Sequence, residues 1–289
     1  MRTAPPGRTV WLRASGTGPQ ALPETPSAVW ASAGRRKLLA MFTPDGPTLR
    51  ELAVQALSSV EHGYDLLAPK FDRTPFRTPD AILDSVTRAL GPLGPFDHGL
   101  DLCCGTGAGT EVLRTLCGRS ATGVDISAGM LAVARERYAA EPRAGAPRVS
   151  WVRGDARALP FGAAFDLVVS FGAFGHFLPR ELPGLFAGAH SVLRPGGRFA
   201  FPVAAPAPPS SPWYWALLGF DAVMRVRNAL WRPPFVMYYR AFRLGDVRRE
   251  LESAGFAVEL RALPEFGRRR DGSPRCRLVV ATRTGAAPG

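Results

Sequence analysis

A chain of 289 residues with 46% hydrophobic content can bury a full core, as one large domain or one domain with a tail. The net charge of +12 raises nucleic acid as a partner, yet residues 41–200 carry sixteen charges of each sign and the excess lies in the first forty residues and the last ninety. Lys37 and Lys70 are the only lysines among abundant Arg, Ala, Pro and Gly, which reads as coding bias more than a phosphate-binding surface, so nucleic-acid binding is not the expected role.

Residues 1–40 have no sustained apolar period and many Pro, Gly, Ser and Thr, so they are expected to be a disordered basic tail. Met41 is an alternative start, and a basic targeting peptide is the rival reading of the tail. The remainder, 41–289, reads as one domain. Pro47 and Thr48 can start a helix continuing through Leu49, Leu52, Ala53, Ala56, Leu57 and Val60, the first part of a helical cap over 47–90 that ends in a helix from about Pro79 to Leu90. From there the chain alternates in type: a strand ending at Cys103, a helix over "TEVLRTLC", a strand "ATGVDI", a helix "AGMLAVARERYAA", a strand "VSWVRGD", a strand within "FDLVVSFGAF", a helix from about Pro183 to Leu193, and a strand in "RPGGRFAFPV". That alternation predicts a doubly wound α/β domain with a mostly parallel sheet buried on both faces. No apolar run reaches the roughly 18 residues of a membrane span, since the longest, Phe165 to Pro179, carries Asp166 and His176. The start has no signal-peptide layout, and four cysteines, with Cys103 and Cys104 adjacent, form neither a disulfide framework nor a zinc pattern. The expectation is a cytoplasmic protein without a metal.

The first strand of this alternation runs into "GLDLCCGTGAG", three alternating glycines directly after an apolar run. Such glycines permit a tight turn that brings the backbone close to a ligand, at the edge of the sheet where ligands of doubly wound folds bind. Twenty residues after Gly105, Asp125 closes the second strand, where a carboxylate can hold both hydroxyls of a ribose. Thr110 occupies the place of the third glycine of a dinucleotide fingerprint, which argues against a nicotinamide dehydrogenase.

Taken together, "DLCCGTGAG", "GVDISAGML", "VRGDARALPF", "FDLVVSFGAFGHF" and "LRPGGRFAF", in this order and spacing, resemble the class I S-adenosylmethionine-dependent methyltransferases. The resemblance is close over a cofactor-binding core at 96–201 and looser in the flanks "GYDLLAPKFD" and "VRRELESAGFAVEL". It implies a Rossmann-like sheet with an antiparallel C-terminal strand and S-adenosylmethionine as cofactor. By the same resemblance Asp101 and the backbone of Gly105, Thr106, Gly107 and Gly109 hold the methionine end, Asp125 the ribose, and Asp155 with the Ala156 amide the adenine edge, with Cys103, Ile126, Met130 and Gly154 as further cofactor-binding positions. Ser170 and Phe171 would face the methionine portion.

A sulfonium methyl is already activated, so the protein has mainly to align the nucleophile, exclude water and, for weak nucleophiles, remove a proton. His176, just past the fourth strand, is the candidate general base, with a hydrogen-bonding loop histidine as its bland counterpart. His62, His98 and His190 read as surface or packing residues. Neither Asn-Pro-Pro-Tyr nor Asp-Pro-Pro-Tyr, the signature that resembling enzymes use on amino groups of adenine or glutamine, follows the fourth strand, which favours an oxygen, carbon or other small-molecule nucleophile.

Acceptor choice is expected in two places. Tyr64 and Phe71 resemble the aromatic flank of methyltransferases of quinone biosynthesis. A lid over 205–243 carries Trp213, Leu217, Phe220, Met224 and Trp231 near helical spacing among Arg225, Arg227 and Arg232. Packing of that stripe on the domain is one reading. A pocket wall built by Trp213, Phe220 and Trp231, or an interfacial helix with an arginine rim touching a membrane, is the other. An RNA-directed methyltransferase or a non-catalytic S-adenosylmethionine-binding module remains the alternative function.

Overall fold

The computed structural model describes residues 46–74, 76–140, 145–238 and 243–285. The expected tail at 1–40 lies outside them. The cap begins where Thr48 accepts the Glu51 amide while the Glu51 carboxylate accepts the Thr48 amide, a reciprocal capping box that starts helix α1, Leu49–Leu57. The expected continuation to Val60 breaks at Ser58. Ser59 then caps a second helix, α2, Val60–Leu67, because its hydroxyl accepts the His62 amide and offers the chain a fresh start. A 3₁₀ turn over Ala68–Arg73 and helix α3, Asp80–Leu90, complete the cap.

Seven strands follow: β1 Phe96–Leu102, β2 Cys117–Asp125, β3 Arg148–Arg153, β4 Phe165–Val169, β5 Leu193–Ala204, β6 Phe256–Ala262 and β7 Cys276–Arg283. They lie in the order β3-β2-β1-β4-β5-β7-β6, with β1 to β5 parallel and β7 antiparallel to both neighbours. The connecting helices are α4 Ala108–Leu116, α5 Ala128–Ala140 and α6 Leu182–Val192. A lid helix, α7 Pro212–Leu230, and α8 Leu244–Ser253 precede the last two strands.

The period of two along each strand sorts side chains to opposite faces. Val168, Phe199 and Phe201 pack with Leu185, Phe186 and Leu251 on one face. Leu167, Val169 and Ala200 pack with Val86, Leu90 and Leu113 on the other. Both faces are covered, so neither strand interior alternates with polar residues, and the doubly wound expectation is met. Strand order reverses between β1 and β4, whose carboxyl ends face one crevice through the pairing of Asp101 with Val169. Residues of the loops after β1, β2 and β4 meet there, and α2 with the 3₁₀ turn lies over them.

Candidate active site

The loop after β1 is built from backbone that ordinary residues avoid. Cys103, Gly105 and Gly107 have φ of 58°, 53° and 92°, and Gly107 forms the left-handed start of α4. A methyl group at Gly109 would stand 2.5 Å from Asp101 Oδ1 and 2.6 Å from the Phe171 ring, so only glycine lets the helix start against the acid. At Gly105 the same position opens onto empty space, which leaves the turn accessible to a ligand. Tyr138 donates its hydroxyl to the Gly107 carbonyl at 2.6 Å and meets Trp151 edge-on, bracing the turn from α5 and β3.

Three carboxylates line this edge. Asp101 is 1% exposed, accepts the Thr110 hydroxyl at 2.9 Å, and burial pushes its pKa up to about 7, with the neighbouring Asp125 charge adding to the rise. Asp125 accepts the Gly105 amide at 2.8 Å and the Ser127 amide at 2.9 Å, tying the first two loops together. Burial raises its pKa too, against the pull of those amides. A carboxylate accommodates about four hydrogen bonds, so Asp125 keeps capacity for a ribose hydroxyl. Asp155 is paired with Arg157 at 2.6 Å, and Arg157 also reaches Glu181; that charge-assisted bond holds Asp155 below the usual carboxylate range.

Asp101 and Asp125 are both buried acids whose ionisation burial disfavours, and the Asp125 charge adds to the rise at Asp101. A ligand bearing an ammonium or sulfonium charge relieves that cost, whereas a pyrophosphate would add to it. The residues present therefore fit S-adenosylmethionine in the cradle formed by Gly105 and Asp101.

The remaining expected residues fall around this loop in different ways. Thr106 is buried and gives its hydroxyl to Asp72 at 2.6 Å. Met130 is buried under the loop after β2, while the Ile126 carbonyl accepts from Arg153. Gly154 donates its amide to the Asp125 carbonyl, and Ala156 is buried beside it. The Ser170 hydroxyl is taken by the Leu102 carbonyl at 2.8 Å, so it joins the ends of β1 and β4. Phe171 stands against Gly109. Cys103 and Cys104 are held well above the ordinary thiol range by burial, which keeps them inert.

Beyond β4, His176 ends a 3₁₀ turn, Phe174–His176. Its Nδ1 lies 2.8 Å from the Val236 carbonyl and its Nε2 lies 2.7 Å from the Tyr64 hydroxyl. A carbonyl can only accept, so Nδ1 carries the proton and Nε2 accepts from Tyr64. Burial lowers the His176 pKa and keeps the ring neutral. Phe235 stacks on Tyr64 with centroids 6.4 Å apart, and Phe71 meets Tyr64 edge-on. Cap, β4 loop and lid thus close one aromatic group.

Trp213 and Trp231 do not join it. They and Phe220 are exposed, because the inward positions of α7 are Asp221 and Met224, whereas Phe235, in the segment after the helix, is the lid aromatic that packs on Tyr64. The sequence pattern also passes over Asp65, which accepts the Ser127 hydroxyl at 2.6 Å and the Gly129 amide at 2.8 Å. Asp65 and Asp72 lie within "GYDLLAPKFD", beside Tyr64 and Phe71, and dock the cap onto the cofactor loops; their signal was the acid next to each aromatic.

A methyltransferase domain model matches residues 100–197. The chain is 30% identical over 209 residues to the O-methyltransferase cnsE of Penicillium expansum, covering 70% of this chain and 68% of that one. It is 36% identical over 103 residues to a 2-phytyl-1,4-naphtoquinone methyltransferase of Thermosynechococcus vestitus, covering 35% and 43%. About half the length of several further curated relatives is spanned. Among solved structures, phosphoethanolamine N-methyltransferase 2 of Haemonchus contortus, in complex with S-adenosylmethionine, shares the fold with a TM-score of 0.51 at 20% identity, covering 71% of this chain and 52% of that one. The glycine turn, the acidic edge and the strand order with its reversed β7 agree with a relative matched across most of its length: the chain belongs to the class I S-adenosylmethionine-dependent methyltransferases.

Proposed function

We propose that the chain methylates a small, apolar or aromatic metabolite at oxygen or carbon, taking the methyl group from S-adenosylmethionine. The observation that carries this reading is the aromatic group of Tyr64, Phe71, His176 and Phe235, two of whose members sit on the cap that Asp65 and Asp72 fasten to the loops after β2 and β1. The names of the matched relatives, an O-methyltransferase and quinone methyltransferases, support the same acceptor class. S-adenosylmethionine supplies an electrophilic methyl on a sulfonium when bound.

The chain's own residues divide the remaining work. Asp101 and Asp125 hold cationic and ribose groups, and the cap, fastened through Asp65 and Asp72, excludes water. For an oxygen acceptor, the acceptor proton passes to the Tyr64 oxygen while the Tyr64 proton passes to His176 Nε2, leaving the histidine protonated. The lowered pKa of His176 keeps it neutral and ready at pH 7, and the Val236 carbonyl fixes the tautomer that presents Nε2.

The test is thermal stabilisation by S-adenosylmethionine, S-adenosylhomocysteine and NAD, followed by product analysis with hydroquinone and phenol acceptors. Stabilisation by the first two and a methylated phenol or hydroquinone product are expected. Stabilisation by NAD alone would sink the cofactor reading. Stabilisation by S-adenosylmethionine with methylation of RNA and of no small acceptor would sink the acceptor reading.

A further inference from the structure

The lid helix is turned against ordinary amphipathic logic. Ser211 caps it by accepting the Trp213 amide, Pro212 occupies the first turn, and Pro233 and Pro234 follow its end. Along α7 the inward stripe is Tyr214, Leu217, Asp221, Met224 and Asn228, and it holds polar groups. The opposite stripe, Ala216, Gly219, Val223, Val226 and Leu230, holds none and faces outward, with Val223 66% and Leu230 80% exposed. Trp213 and Trp215 stand exposed at one end and Trp231 at the other.

The charges at its border have one sign. From Pro202 to Arg243 the sequence holds five arginines and a single acid, Asp221, which is 6% exposed. Arg225 lies over the Tyr238 ring on the flank of the inward stripe, and Arg227, fixed by the Ser58 and Pro233 carbonyls, borders the apolar one. A second copy seated on this face would oppose arginine to arginine with no exposed acid between them. Residues 1–45 bring six basic residues against Glu24 and Asp45 and carry the same sign. A surface that is apolar inside and anionic at its rim complements both features. Among the described residues no helix is long and apolar enough to cross a membrane, and α7 carries Asp221, Arg225 and Arg227 in its length. We infer that α7 lies in the plane of a bilayer interface and docks the protein on membranes containing anionic phospholipid. This inference stands apart from methyl transfer, since it concerns binding alone.

The experiment is sedimentation of the full chain with phosphatidylcholine vesicles, with and without phosphatidylglycerol. Binding to the mixed vesicles is expected, weakening as salt shortens the reach of the arginine charges. The double variant V223D/L230D should lower the vesicle partition at least tenfold, as two charged groups now face the hydrocarbon boundary. Retained thermal stabilisation by S-adenosylhomocysteine shows that the variant is folded. Absence of binding to either vesicle, equal binding to both, or undiminished binding of the variant would overturn the inference. So would a dimer in light scattering that the double variant dissociates while vesicles bind neither form, because a second copy would then be the occupant.

Discussion

The edge formed by β1, β2 and β4 and the lid after β5 obey opposite rules. At the edge, backbone conformation decides almost everything: Gly105 and Gly107 adopt φ values that other residues resist, and Gly109 leaves no room for a single extra carbon beside Asp101. In the lid, α7 buries Asp221 and Met224 and turns its apolar stripe away from the domain. A cofactor shared by a family is held by a rigid, locally encoded loop. The aromatic group of Tyr64, His176 and Phe235 is assembled from three distant segments, which can vary independently of that loop.

Gly109→Val breaks the comparison most severely. Overpacking against Asp101 and Phe171 should cost about 1–3 kcal/mol of stability and more than 100-fold in S-adenosylmethionine affinity, an estimate of the order of a lost charge-assisted contact set. Retention of wild-type affinity by isothermal titration would show that the close approach at Gly109 is irrelevant to binding.

Tyr64→Phe acts on the other region. Removing the hydroxyl from the pair with His176 should lower turnover about 100-fold, the lower range for acid–base catalysis, with cofactor affinity unchanged. His176→Asn should behave alike. A fall in cofactor affinity of equal size in both variants would mean that the aromatic group belongs to the cofactor site.

A pH titration sharpens the electrostatic side. The folded pKa of Asp101, about 7, lies above its ordinary value of 3.8. The unliganded fold is therefore favoured by this group at low pH, and that contribution is lost as pH rises from near 4 toward 7. A cationic ligand prefers the ionised acid, so affinity for S-adenosylmethionine should climb by up to about tenfold per pH unit below 7 and level off above it. Asp101→Asn should flatten the profile; a slope that survives the substitution assigns the titration to another group.

The smallest effect is expected at the lid surface. Trp213→Ala and Trp231→Ala should leave stability within about 0.5 kcal/mol and cofactor affinity within about twofold. Loss of cofactor binding by either folded variant would erase the division between the two regions.

The difference between the regions also governs what could be read in advance. Alternation of apolar runs with helical periods announced β1 through β5 and their crossovers, since parallel strands buried on both faces write themselves as continuous hydrophobic stretches. The glycine loop was legible for a similar reason: left-handed backbone and close approach demand glycine at fixed spacing. Strand boundaries were less so. The apolar run "FDLVVSFGAF" yields only the five-residue β4, because Ser170 is diverted to the Leu102 carbonyl and Gly172 turns the chain.

What the sequence by itself determined, then, is the glycine turn and the parallel strands that carry it, where each requirement is met within a few residues. Only the tertiary structure decided that the Tyr64 hydroxyl meets His176 across 112 positions, that Phe235 and not Trp213 closes the aromatic group, and that Asp65 and Asp72 pin the cap. Those pairings leave no local period or spacing, since each depends on how α2, the β4 loop and the segment after α7 pack on one another. The direction of α7 is of the same kind. A 3.6-residue period shows that a helix has an apolar stripe, and packing alone determines whether that stripe turns toward the core or toward what lies outside.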